Sequence, residues 1–118
     1  MSRGINFVLE VAIRPNKVED LKRLAEVMIA ETAQDPGVIY YHWSYDNGIL
    51  RTVEHYESNE ATLNHLKWFG DNYATQFGEL GTVKSCHVYG DPSYAVKAAL
   101  DSLGAVYMTT LGSYQRER

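Results

Sequence analysis

The sequence predicts a single α+β domain spanning residues 1–118, an antiparallel sheet with helices packed on one face. Three observations carry this. The stretch "INFVLEVAI" alternates apolar and mixed residues with period two, and "VIYYHWSY" and "ILRTVEHYE" are separated by the turn signal "DNG". Two segments with apolar residues at helical spacing separate the extended ones. The resulting order, strand, helix, strand, strand, helix, strand, is the split βαβ, ferredoxin-like arrangement.

Taken in order, Ile5, Phe7, Leu9, Val11 and Ile13 share one face of the first strand, and Asn6, Val8, Glu10 and Ala12 share the other. Pro15 ends it. Asn16 and Glu19 are spaced as a capping box for a helix from Lys17 to about Ala33, with Val18, Leu21, Leu24, Ala25, Met28 and Thr32 inward. "DPG" at Asp35–Gly37 stops it. The second strand has large residues on both sides: Tyr40 and His42 on one, Ile39, Tyr41, Trp43 and Tyr45 on the other. On the third, Thr52, Glu54 and Tyr56 share a face, and Arg51, Val53, His55 and Glu57 take the opposite one. Ser58 or Asn59 caps a second helix whose inward stripe reads Leu63, Leu66, Gly70, Tyr73 and Phe77. "TVKSCHVYG" is a fourth strand. "DPSYAVKAALDSLG" is a third helix started by Asp91 and Pro92, "AVYMTTLGSYQ" a last short strand or arm, and "RER" a frayed end. Two helices cover only one face of such a sheet. The aromatic content of the other predicts a homodimer packed sheet to sheet, with the arm reaching across.

Composition narrows the function classes. A net charge of −4 disfavours a nucleic-acid surface. No apolar run approaches a membrane span, and the first residues do not read as a signal peptide. The lone Cys86 excludes an internal disulfide and fits a cytoplasmic setting. Nine tyrosines and two tryptophans suit a sheet buried on both faces or an aromatic-lined pocket.

The stretch "VEHYESNEATLNHL" concentrates the candidate chemistry. No metal site is expected there: Glu54 and His55 leave the strand by opposite faces, and His55 and His65 are ten residues apart. Glu54, mid-strand in an aromatic sheet, is either partnered or functional. His65 lies beside the inward stripe, at the helix–sheet boundary. There it is either a structural histidine bonded to backbone or a base titrating near neutrality. Trp68 falls nearly opposite the stripe. His42 and His87 either line a cavity or are buried, satisfied polar groups. No phosphate loop and no Ser-His-Asp or Cys-His constellation is readable.

The pattern Glu54-His55-Tyr56-Glu57-Ser58, followed by Ala61 and His65-Leu66, resembles the signature of the antibiotic biosynthesis monooxygenase family. "AQDPGVIYYHWSYD" resembles that family's turn into its second strand, and "YGDPSYAVKAALDSLGAVYMTTLGSYQR" a C-terminal extension of some members. The resemblance implies a ferredoxin-like subunit in a dimeric α+β barrel. It also implies oxidation of a small phenolic, quinol or polyketide-type aromatic substrate by dioxygen, with no metal, flavin or other cofactor. His65, with Glu54 and Tyr56, would be the catalytic group, acting as base or proton shuttle. Tyr41, Thr52, Trp68, Phe69 and Asn6 would bind substrate. Departures limit the transfer. Thr52 and Tyr56 stand where the anthrone-oxidising branch has an asparagine and a tryptophan. Asn6 matches one haem-degrading residue, but no histidine follows Trp68 in the second helix. A non-enzymatic ligand-binding or regulatory module and a small-molecule isomerase remain as alternatives.

Overall fold

A computed structural model describes residues 4–116; the terminal Glu117 and Arg118 of the expected frayed end lie outside the described residues. The chain forms β1 (Ile5–Ile13), α1 (Val18–Thr32), β2 (Val38–Asp46), β3 (Ile49–Tyr56), α2 (Asn59–Asn72), α3 (Ala74–Leu80), β4 (Gly81–Gly90), α4 (Tyr94–Leu100) and β5 (Ala105–Tyr107). The sheet order is β2-β3-β1-β4-β5. The split βαβ frame is therefore present. The sheet is mixed, because β5 runs parallel to β4 at the edge.

The alternation of β1 sets the layers. Ile5, Phe7, Leu9, Val11 and Ile13 are all buried, packed with Leu21, Leu24 and Met28 of α1 and with Phe77 and Leu80 of α3. At about 25 cal/mol per Å² of apolar surface, this face supplies the main drive for the fold. Asn47 and Gly48 both have positive φ, as a tight β2–β3 hairpin requires. Gly81 is needed for a different reason: a Cβ there would lie 1.9 Å from the Ala12 carbonyl oxygen.

Several local expectations are corrected. The Asn16–Glu19 capping box does not form. Pro15–Lys17 is instead a 3₁₀ turn, and α1 begins at Val18 without a side-chain cap. The second helix is two helices, broken at Tyr73. Gly70 is exposed, with open space around it, so it marks neither a close approach nor the break. Ser58 does cap α2, accepting from the Ala61 N–H at 3.0 Å. Ser93, rather than Asp91 or Pro92, caps α4. The Asn59 amide carbonyl accepts from the Ser93 N–H at 2.7 Å and ties α4 to the start of α2.

The other face of the sheet carries a regular grid. Tyr40, His55, Asn6 and Tyr89 lie across the strands in one row, and His42, Val53, Val8 and His87 in the next. Below them Arg51 donates to Glu10, with its Nε at 2.7 Å. His42 and His87 belong to this outer grid and do not line the inner cavity. Among the described residues no helix is long and apolar enough to cross a membrane.

Candidate active site

Period two on β3 brings Thr52, Glu54 and Tyr56 to the helix-covered face. All three are buried, Glu54 to 5% exposure. The carboxylate is well supplied with donors: Tyr56 O–H donates to Oε1, and Thr52 Oγ1 donates to Oε2 at 2.7 Å. Burial nevertheless dominates and pushes the Glu54 pKa up to about 7, against the lowering effect of those two donors. Burial also pushes the Tyr56 phenol well above its ordinary value, and the Glu54 charge adds to that.

His65 comes from α2. The helix turns Ala61, Thr62 and His65 inward, so His65 lies at the centre of the buried stripe rather than beside it, 4% exposed. Thr62 satisfies its own hydroxyl by donating to the Ser58 carbonyl at 2.8 Å. His65 Nε2 stands 3.8 Å from Glu54 Oε1, adjacent but beyond hydrogen-bond range. Three aromatic rings enclose the imidazole: Tyr56 and Trp68, each with centroid 4.9 Å away, and Tyr41 at 5.2 Å. Burial lowers its pKa to about 4, against a weak opposing pull from Asp35. Burial thus favours the neutral form of each group.

A cavity of about 50 Å³ adjoins this pair. Its lining includes Glu54, His65, Tyr41, Trp43, Thr52 and Phe69, together with apolar side chains of β1, α1 and α3. Five of the residues singled out from sequence therefore meet there: Glu54, His65, Tyr41, Thr52 and Phe69. Tyr56 is behind Glu54 rather than in the lining. Trp68 is half-buried, not outward. Its indole packs against His65 with the ring planes tilted by 43°, and its Nε1–H donates to Glu31 at 3.1 Å. Tyr73, at the α2–α3 break, donates its hydroxyl to the other Glu31 oxygen at 2.6 Å. Asn6 is on the outer grid, across the sheet from the pair. Trp43 and Phe77 were not singled out as ligand contacts. Trp43 could have been found, since it shares its strand face with Tyr41.

Among the described residues no three His, Cys, Asp or Glu side chains are grouped closely enough to hold a metal ion. Cys86 is fully buried, and burial raises its pKa to about 11, which keeps it a thiol.

No family profile and no curated protein matches the sequence. Solved structures do match. MupZ from Pseudomonas fluorescens superposes with a TM-score of 0.85 at 21% identity, over 98% of this chain and 91% of that one. Rv0793 from Mycobacterium tuberculosis gives 0.62 at 29% identity, over 77% and 97%. A Caulobacter crescentus protein that carries the provisional name antibiotic biosynthesis monooxygenase gives 0.65 at 18%, over 78% and 92%. The chain thus has the fold of the antibiotic biosynthesis monooxygenases. Of these three, MupZ matches the largest share of this chain.

Proposed function

We propose that the protein is an enzyme that removes a proton from a small, uncharged phenolic, quinol or related aromatic substrate. With dioxygen as the acceptor, it would act as a cofactor-independent monooxygenase. One observation carries the reading: a buried histidine and a buried carboxyl stand 3.8 Å apart at the wall of an aromatic-lined cavity.

His65 takes the substrate proton and passes it toward Glu54, whose higher affinity for protons makes it the resting place. Proton removal leaves an electron-rich anion that dioxygen can oxidise. For a methylene flanked by aromatic rings, CH₂ plus O₂ gives C=O plus H₂O, with the substrate supplying all four electrons. The protein's share is the base, the exclusion of water and the positioning of the ring. Tyr56 and Thr52 hold the carboxyl in place through their hydrogen bonds. A second copy of the chain covering the outer grid completes the assembly in this reading, and sedimentation as a monomer at micromolar concentration would remove that part of it.

The test is oxygen uptake with a panel of phenols, quinols and anthrones, repeated with His65→Ala and Glu54→Gln. Uptake above background that both variants abolish is expected. No uptake with any substrate refutes the oxygenase reading. The Glu54–His65 pairing also favours one other chemistry, because a pair that can both take and return a proton suits an isomerase. Solvent deuterium entering a recovered substrate without oxygen consumption would identify it.

A further inference from the structure

The cavity beside Glu54 and His65 is small for an aromatic ligand. Its volume is about 50 Å³, whereas an apolar cavity of about 150 Å³ takes up benzene. A whole ring fits inside only if a lining side chain gives way.

Phe77 is placed to do so. Its ring meets Trp43 edge-on at 5.9 Å and Phe69 at 5.4 Å, with the planes at 85° and 82°. Trp43 leads on to Tyr41 at 6.2 Å, and Tyr41 to His65 at 5.2 Å. Phe77 thus fills an aromatic slot in a run of rings that reaches the buried histidine, and all five side chains line the cavity.

The elements that carry these rings differ in firmness. Trp43 is on β2, in register with Thr52 along the β3 ladder. Phe69 is on α2, which has 14 residues and is capped by Ser58. Phe77 is on α3, which has 7 residues, no side-chain N-cap and a glycine, Gly78, within it. A helix that short, with a glycine inside, has little stability of its own. There is also room at its flank. A groove of about 440 Å³ is lined by Gln76 and Glu79 of α3 and by Asp20, Arg23 and Val27 of α1.

We propose that Phe77 is the specificity-determining residue of this site: its ring holds the place of the ligand's own aromatic ring and yields it, by a shift of α3 toward the groove, when the ligand binds. The proposal deepens the preceding reading and rests on it for taking this cavity as the ligand site. The ligand class follows from the slot. Edge-on contacts with Trp43 and Phe69 favour an aromatic ring beyond the apolar area it buries, and a saturated ring does not recover them. The side chain at position 77 then sets how large a ring is admitted.

Benzene and cyclohexane are the probes, each titrated into ¹⁵N-labelled protein. In wild type, benzene should bind weakly and shift the amide signals of α3 more than those of β2. Phe77→Ala vacates the slot and should tighten benzene binding about tenfold or more. Phe77→Leu, which keeps more of the core filled, should give a smaller gain in the same direction. Met28→Ala enlarges the same cavity from α1 and leaves the Phe77 ring in place. The ratio of benzene to cyclohexane affinity should be about threefold to tenfold higher in Phe77→Ala than in Met28→Ala. Equal ratios in these two variants, or no gain in either Phe77 variant, overturns the proposal. So does a wild type that takes up no benzene, or that binds it with the α3 signals unmoved. Benzene binding in the slot by a protein that consumes no dioxygen with any phenol, quinol or anthrone would keep the assignment of Phe77 and remove the oxygenase reading.

Discussion

The Glu54–His65 pair makes a specific prediction about stability against pH. The folded protein raises the Glu54 pKa from 4.5 to about 7 and lowers that of His65 from 6.5 to about 4. At about 1.4 kcal/mol per pH unit, each displacement is worth about 3 kcal/mol. The signs oppose. A raised carboxyl pKa favours the folded state at low pH, and that contribution is lost as pH rises from 4.5 through about 7. A depressed imidazole pKa favours the folded state at high pH, and that contribution is lost as pH falls from 6.5 through about 4. Between 4.5 and 6.5 the two slopes cancel: unfolding carries a proton from the carboxyl to the imidazole without exchanging one with solvent. Glu54→Gln removes one slope. Relative to wild type, this variant should gain about 3 kcal/mol as pH rises from 4.5 to 7. Urea denaturation followed by tryptophan fluorescence at fixed protein concentration measures it, with ionic strength held constant. Stability curves for wild type and variant that run parallel across this range would refute the reasoning.

Tyr56→Phe removes a donor that lowers the Glu54 pKa, so the carboxyl should titrate at higher pH, seen by ¹³C NMR of the labelled side chain. Met28→Ala, at a fully buried position of α1, should cost about 2–5 kcal/mol in the same urea assay. Gly81→Ala would push a Cβ into the Ala12 carbonyl and should destabilise by about 1–3 kcal/mol or more, with amide exchange accelerating at the start of β4. Glu31→Ala removes the acceptor for both Trp68 and Tyr73. Trp68 emission should then shift and His65 ring signals move, with a smaller loss of stability than Met28→Ala produces.

The parts of the fold that were legible in the sequence were those with one dominant period. The alternation of β1 and the Asn47–Gly48 turn identified layers and hairpin, and period two on β3 placed Thr52, Glu54 and Tyr56 together. A single stripe does not describe the helical segment after them, because it is two helices. Leu63, Leu66, Gly70, Tyr73 and Phe77 average a phase before and after the break at Tyr73. That shifted the apparent inward face and moved His65 to its margin. The sidedness of β2 was not decidable, since both of its faces are aromatic. Only burial distinguishes Tyr41 and Trp43, facing the core, from Tyr40 and His42, facing out. The Glu31 contacts were invisible for another reason: they join positions 37 and 42 residues apart, beyond any local pattern.

That carboxylate gives the buried imidazole a handle on the surface. Glu31 is exposed, yet it anchors one of the three rings that cage His65 and the residue at which the helix breaks. A substitution of Glu31, in the last turn of α1, removes both acceptors at once. The packing around His65 is thus tied to a helix that contributes neither His65 nor Glu54.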